Sequence, residues 1–379
     1  MSGRERMEAA FSADGARELP AVICYESVFL RDHWSQFTTC PWWYLHMSDA
    51  ERQLLWTRDL VGALGQDWLQ MFPWASLADQ EHITVEASSE GVFRIDRRTG
   101  RREAMLPPRP GGWTAESVES VRPAHLAESP EEIEAAIPRA GGVDSDPQAA
   151  ADRWKVAAAL IAEFGANLWP YRHVSGPLWK TYDLWGFEGM MTMIATRPDL
   201  VRVACERYLA AALREVQEAT DHGAAGIWIE DCLTDMISPE AFAELNLPFL
   251  RRLVAAIRSA GMKSLYYFCG DPAGKWDLIL SLGADALGFE EGKKGFRNDI
   301  DEIVEQVRGR CVVLGNLDSI GVLQDGDERC LREGIGRQVA AARRNGSRFV
   351  LSLGSPPTAA TPLERVRLYC DLAHEMGAS

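Results

Sequence analysis

Short apolar runs separated by longer amphipathic ones set the rhythm of the second half of the chain. "GIWIED" from Gly226, "SLYYFC" from Ser264, "ALGFEE" from Ala286, "CVVLGN" from Cys311 and "FVLSLG" from Phe349 are each continuous in apolar residues and end in polar or glycine positions. Between them lie helical patterns such as "SPEAFAELNLPFLRRLVAAIRSAG", "GDERCLREGIGRQVAAARRNG" and "TPLERVRLYCDLAHEMG". In the first of these Ser238 is a cap, Pro239 suits the first helical position, Pro248 splits the stretch in two and Gly261 ends it. Strands apolar throughout, alternating with helices, predict a parallel sheet covered on both faces. Upstream, "PAVICYE" (Pro20 to Glu26), "DWLQMF" (Asp67 to Phe72) and "GANLWPYRHV" read as earlier strands. About eight such units predict an α/β fold, a single (β/α)8 TIM barrel spanning residues 1–379 with an N-terminal helical extension. The alternation breaks at "HITVEASSEGVFRIDRRTGRREAMLPP", where period two and turn residues predict an inserted β-hairpin. With the Pro-, Glu-, Ala- and Gly-rich loops and short helix that follow, the insertion covers residues 75–152.

Composition narrows the function. A net charge of −15 lacks the basic footprint that nucleic acid and anionic membranes require. It also argues against a substrate carrying many negative charges. No run approaches the roughly 20 apolar residues of a membrane span. The polar start, "MSGRERMEAAFSADG", does not read as a secretory signal, so a cytoplasmic protein is expected. The eight cysteines are scattered, with no CxxC pair, and predict neither a disulfide framework nor a zinc finger.

A barrel of this kind builds its active site at the C-terminal ends of its strands. That rule yields Glu26, Asp67, His173, Glu230, Asp231, Cys269, Asp271, Glu290, Glu291, Asn316, Asp318 and Ser355. Cys269, ending "FCGD", would point into the mouth among carboxylates, where like charges keep an unpaired thiol neutral. A divalent metal reverses that, and zinc accepts sulfur and carboxylate oxygen together. Cys269 is thus either a zinc ligand, with Glu230 or Asp231 and Glu290 or Glu291 as partners, or a small apolar residue closing a buried strand. Only one of Glu290 and Glu291 can enter the mouth, the other pairing with Lys293 or Lys294. Asn316 serves either substrate or a loop, and Ser355 offers a free hydroxyl on a rigid turn. Of the adjacent Trp42 and Trp43, at least one lines a pocket or an interface. His33 is a candidate ligand or acid/base group, with a structural role as the alternative.

From about Gly176 onward the chain resembles the uroporphyrinogen decarboxylase-like superfamily. The resemblance is carried by "DLWGFEGMM", "ISPEAFAELNLPFLRRLVAAIRSAGMKSLYYFCGD", "LGADALGFEE", "VVLGNLDSIGVL" and "LSLGSPPTAATP" in order. It implies a (β/α)8 barrel and one of two chemistries: cofactor-free decarboxylation of a porphyrinogen, or zinc-dependent methyl transfer involving corrinoid proteins or coenzyme thiols. The arginine-rich carboxylate grip of the decarboxylases is missing, since "YESVFLRDHW" and "LGSPP" stand in the corresponding regions. The thiol-methylating branch has a His-x-Cys-Gly strand end and a later cysteine. Here Cys269-Gly270 is kept, but Tyr267 and Ser355 replace the others. The resemblance therefore implies zinc on Cys269, Glu230 and Glu290, with Glu230, Asp231 and His33 catalytic. Glu26, Trp42, Trp43, His173, Tyr267, Asn316 and Ser355 would contact a small methylated substrate. The acceptor is the corrinoid (cobalamin) of a partner protein, and a homodimer remains open. The rivals are a metal-free decarboxylase, whose cations would come from Arg172, His173 and Arg297, and a barrel that only binds a ligand.

Overall fold

The computed structural model describes residues 1–47, 49–72, 82–111, 121, 123, 125–137, 154–292 and 295–378. Its centre is a curled, all-parallel sheet of seven strands: β1 (Trp68–Met71), β5 (Trp169–Ser175), β6 (Gly226–Asp231), β7 (Lys263–Phe268), β8 (Ala286–Phe289), β9 (Val312–Leu314) and β10 (Phe349–Val350), neighbours in that order. The strands are buried along almost their whole length, which is why they read as unbroken apolar runs. Helices fill each return. Pro239–Leu245 and Leu247–Ser259 divide at Asn246, two residues before Pro248, and the Ser238 hydroxyl caps the first by accepting from Ala241 N at 3.1 Å. The second helix buries Leu250, Leu253, Val254 and Ile257 on one face.

Eight regular strands were expected, and the described residues hold seven in this sheet. The predicted strand at Pro20–Glu26 makes only one isolated bridge, Ala21 to Leu351. Its backbone nevertheless reaches both edges. Leu351 N donates to Pro20 O (2.8 Å), Val22 N to Leu351 O (2.9 Å) and Asp67 N to Ala21 O (3.0 Å). Beyond it the chain turns sharply at Tyr25, in the left-handed region at φ 53°, into the helix Glu26–Phe37. Helices Gly3–Ala10, Glu26–Phe37 and Ala50–Leu64 make up the N-terminal extension.

The break in alternation is a separate antiparallel sheet of three strands, β2 (Ile83–Ser88), β3 (Gly91–Asp96) and β4 (Arg101–Met105), rather than a two-stranded hairpin. The second turn is built by Asp96, whose Oδ1 accepts from Arg98 N at 2.8 Å, and by Gly100 at φ 71°. The expected short helix is Pro130–Ala136. The rest of the 75–152 insertion lies largely outside the described residues.

Asp67 was placed by sequence among the strand ends at the mouth. It precedes β1 and so marks the opposite end of the sheet. There its carboxylate takes Arg6 Nη2 (2.6 Å), Ala21 N (2.8 Å) and His374 Nε2 (2.9 Å), tying both ends of the chain to the barrel floor.

Candidate active site

Inward-facing residues of four strands fill the barrel with rings. Trp68 lies 5.2 Å from Trp228 and 4.3 Å from Tyr171, while Tyr267 stacks on Trp228 at 5.0 Å. Tyr25 closes the plug edge-on against Trp228 (5.8 Å), Tyr267 (5.6 Å) and His173 (6.2 Å). This aromatic layer gives the site a dry floor. Tyr267, expected to touch substrate, belongs to that floor and donates its hydroxyl to Gly354 O.

Polar groups sit on this floor. Glu230 Oε2 lies 3.2 Å from His173 Nε2 and accepts from Trp179 Nε1 at 3.2 Å. The alignment at His173 Nε2 falls short of a hydrogen bond, so that contact is a close approach of imidazole and carboxylate. Burial works to raise the Glu230 carboxyl, but His173, with Tyr25 and Trp179, outweighs it and holds the pKa at about 2. On the other side Cys232 Sγ donates to Glu230 Oε1 (3.6 Å). The Tyr25 hydroxyl meets both thiols, Cys269 at 3.3 Å and Cys232 at 3.9 Å. Burial, backed by the Glu230 and Glu290 charges, raises the Cys269 thiol. The neighbouring Cys269, and then burial, raise Cys232. Two non-glycine residues flanking this group, Tyr25 and Leu233, hold φ of 53° and 62°. Left-handed backbone of this kind persists where surrounding structure imposes it and is frequent at functional sites.

Asp231, read as catalytic beside Glu230, faces the other way. Successive strand residues alternate, and Asp231 is completely buried against the helical layer. Its Oδ2 accepts from Asn246 Nδ2 (2.6 Å) and Tyr266 OH (2.5 Å), and burial lifts its carboxyl to about 7. His33 is likewise away from the mouth: fully buried, stacked on Phe29, its nitrogens against Phe29 O (3.1 Å) and Thr361 O (2.9 Å). Asn316 braces loops by donating to Asn298 O (2.7 Å) and Glu290 O (3.3 Å). Ser355 is buried and donates to Glu291 Oε2 at 2.7 Å, while Ser319 Oγ approaches Oε1 at 3.3 Å. Glu290 lies near Cys269 and Tyr267. Lys293 and Lys294 lie outside the described residues.

Trp42 and Trp43 sit in a short helical turn, Trp42–His46, edge to face at 5.8 Å. Trp42 lines a groove of about 500 Å³ with Arg31, Trp34 and Pro108, apart from the thiols. Glu26 is buried beneath the mouth, hydrogen-bonded by Gln66 Nε2, and burial brings its carboxyl to about 7. The ligand set read from sequence, Cys269, Glu230 and Glu290, is not drawn together. Among the described residues no group of three or more His, Cys, Asp or Glu side chains is placed to hold a metal ion. Sequence reasoning missed Tyr25, Trp179 and Cys232. The last had a signal, because a residue two positions after Glu230 returns to the same strand face.

Beside His173 a cavity of about 280 Å³ opens, lined by Ser27, Gln70, Phe72, Arg172 and Lys180 among others. Its size suits a small molecule. The three side chains read as sources of positive charge for a decarboxylase each lie against a carboxylate: Arg172 with Glu215 (2.7 Å), His173 with Glu230 (3.2 Å) and Arg297 with Glu302 (2.8 Å). Lys180, at the cavity wall, pairs with Asp183 at 2.6 Å. Among the described residues no helix is long and apolar enough to cross a membrane.

Comparison with known proteins places this arrangement. A methyltransferase from Methanosarcina mazei superposes with a TM-score of 0.67 over 99% of both chains at 17% identity, which establishes a shared fold. Uroporphyrinogen decarboxylases from Anaeromyxobacter dehalogenans (strain 2CP-C) and Neisseria meningitidis serogroup C (strain 053442) are both 26% identical, over 192 and 193 residues. Those matches cover 51% and 50% of this chain and 53% and 52% of the relatives, so the chain spans about half the length of the curated relatives it matches. The family model for uroporphyrinogen decarboxylase (URO-D) matches residues 173–376, more than half of the chain and the part holding β6 to β10, and the chain therefore belongs to the URO-D family.

Proposed function

We propose that this chain is a methyltransferase, moving a methyl group from a small O- or N-methyl donor to the corrinoid of a partner protein. The observation that carries the reading is the engagement of Arg172, His173 and Arg297 by carboxylates. A porphyrinogen bearing several carboxylates would have to displace those partners, whereas a neutral or cationic methyl donor is compatible with them. The likeness to the methanogen methyltransferase along the whole chain supports the same choice.

Glu230, held ionised near pH 7, draws a cationic or polarised donor onto the aromatic floor of Trp228, Tyr25 and Tyr267. His173, 3.2 Å from Glu230 and at the wall of the 280 Å³ cavity, is the group placed to return a proton to the departing oxygen or nitrogen. The plug below excludes water, so the charge of Glu230 acts in a low dielectric. Zinc belongs to the proposal through the chemistry of its donors, two thiols and a carboxylate. Cys269, Cys232 and Glu230 would hold it. Cys232 Sγ stands 3.6 Å from Glu230 Oε1, close to the ~3.5 Å between two ligands of one tetrahedral zinc. Among the described residues no such group is placed to hold a metal ion as folded, so binding requires these side chains to converge. Bound there, zinc supplies Lewis acidity toward the heteroatom carrying the methyl group.

The test is to mix the chain with cob(I)alamin and a panel of methoxyarenes and methylated amines, following methylcobalamin by absorbance. Methylation from at least one donor, lost in Glu230→Gln, supports the reading. Carbon dioxide release from a porphyrinogen with no methyl transfer would establish the decarboxylase instead, and neither activity would leave a binding barrel.

A further inference from the structure

The two thiols of the mouth are neighbours by register. β6 and β7 run parallel with Asp231 opposite Phe268, and Cys269 N donates to Asp231 O at 3.1 Å, continuing the ladder one step past the strands. Cys232 and Cys269 therefore stand opposite one another. Adjacent strands lie about 4.8 Å apart, inside the roughly 4.4–6.8 Å window of Cα separations that a disulfide spans. Both side chains turn to the same face and meet one phenol oxygen, that of Tyr25. Backbone departs from the ladder directly after each, at Leu233 (φ 62°) and Gly270 (φ 99°), so neither cysteine is clamped on its C-terminal side. Cys232 is half-buried and Cys269 9% exposed at the open end of the barrel, whereas Cys24, Cys205 and Cys370 are wholly buried.

We propose that Cys232 and Cys269 form a redox pair that closes to a disulfide across the mouth. With a peroxide as oxidant, one sulfur attacks the O–O bond, giving a sulfenic acid and water. The second thiol then displaces that oxygen as a second water, forming the S–S bond. Two thiols are oxidised and one peroxide reduced to two waters. A bridge between parallel neighbours must draw the β-carbons closer than the sheet spacing sets them. Strained bridges of this sort are the easily reduced, regulatory kind. Closing it withdraws Cys232 Sγ from Glu230 Oε1 and both sulfurs from Tyr25. Where the methyl-transfer reading holds, the bridge switches that activity off; the pair itself does not depend on that reading.

The experiment treats the reduced, folded, metal-free chain with a small excess of hydrogen peroxide. It is then denatured, alkylated with N-ethylmaleimide, digested and analysed by mass spectrometry. The reduced chain takes eight adducts, one per cysteine. Oxidation is expected to lower this to six, with a linked peptide containing Cys232 and Cys269 that dithiothreitol releases. Cys232→Ser is expected to take seven adducts when reduced and to give no linked peptide and no dithiothreitol-reversible loss of a pair of adducts after peroxide. Eight adducts after treatment, a link between other cysteines, or sulfinic acid on Cys269 with Cys232 alkylated would each overturn the proposal. None of these readouts requires activity, so the pairing stands or falls apart from the catalytic assignment.

Discussion

Replacing Glu26 by glutamine should make the protein more stable, and by an amount that depends on pH. Glu26 is 3% exposed and opens the helix Glu26–Phe37. Burial raises its carboxyl to about 7 from an ordinary 4.5, and the hydrogen bond from Gln66 only partly opposes this. Gln66 cannot turn to do more. Its Oε1 is held by Trp68 Nε1 (3.1 Å) and Ile23 N (3.2 Å), leaving Nε2 as the single donor toward Glu26. The folded state thus keeps a proton that the unfolded state releases from about pH 4.5 upward. Below that pH both states are protonated and the cost is absent; it grows as pH rises and levels off above about 7. A gap of 2.5 units corresponds to about 3 kcal/mol, and half of it has developed by about pH 5.5. Glutamine keeps the shape and an oxygen for Gln66 but never ionises, so any packing difference it brings is a constant offset. Urea unfolding of parent and Glu26→Gln, followed by tryptophan fluorescence from pH 4 to 8.5, reads the difference directly. The variant's advantage should increase by about 3 kcal/mol across that range. A difference flat with pH would show that Glu26 is not the buried proton carrier inferred here.

Glu230 predicts the opposite sign. Its carboxyl is held at about 2, so it stabilises the fold above pH 4.5 and loses that contribution as pH falls toward 2. Glu230→Gln should cost up to about 3 kcal/mol at pH 7 and little at pH 2, measured by the same urea unfolding extended down to pH 2. Gly226→Ala should destabilise by about 1–3 kcal/mol, because an added Cβ would come within 2.0 Å of the Trp169 ring; chemical denaturation checks it. Cys269→Ala and Cys232→Ala should each lower bound zinc, counted by elemental analysis after reconstitution. Cys311→Ala, at the start of β9 away from the mouth, should retain it.

The apolar rhythm made the parallel sheet legible, because strands buried on both faces must be apolar at every position and helices between them cannot be. The strand ends followed from that, and with them Glu230, His173 and Cys269. Which neighbour of each pair faces inward did not follow. Glu230 and Asp231 are chemically alike, and only the registration of Trp228 among the interior rings fixes Glu230 as the inward one. Tyr25 left no signal, since its place depends on a left-handed turn at a non-glycine residue that the surrounding fold imposes. His33, Asn316 and Ser355 are polar residues of the type that functional sites use. The folded chain gives each of them a main-chain or carboxylate partner instead.

The two barrel glutamates, taken together, say how the mouth sorts charge. Both are the same side chain near the same aromatic plug, and desolvation acts upward on both. Glu26 meets a single neutral amide and keeps its proton near neutrality, while Glu230 meets an imidazole, an indole N–H and a thiol and stays an anion. One carboxyl lifted to about 7 and another held at about 2 show the same side chain sorted by its environment. Under the proposed function the anion, not a cation, is the fixed charge offered to a substrate. That polarity opposes what a polycarboxylate requires and matches a donor that is cationic before its methyl group leaves, such as a methylated ammonium. If Glu230→Gln bound a quaternary ammonium probe as tightly as the parent by calorimetry, this assignment of the mouth's charge would be wrong.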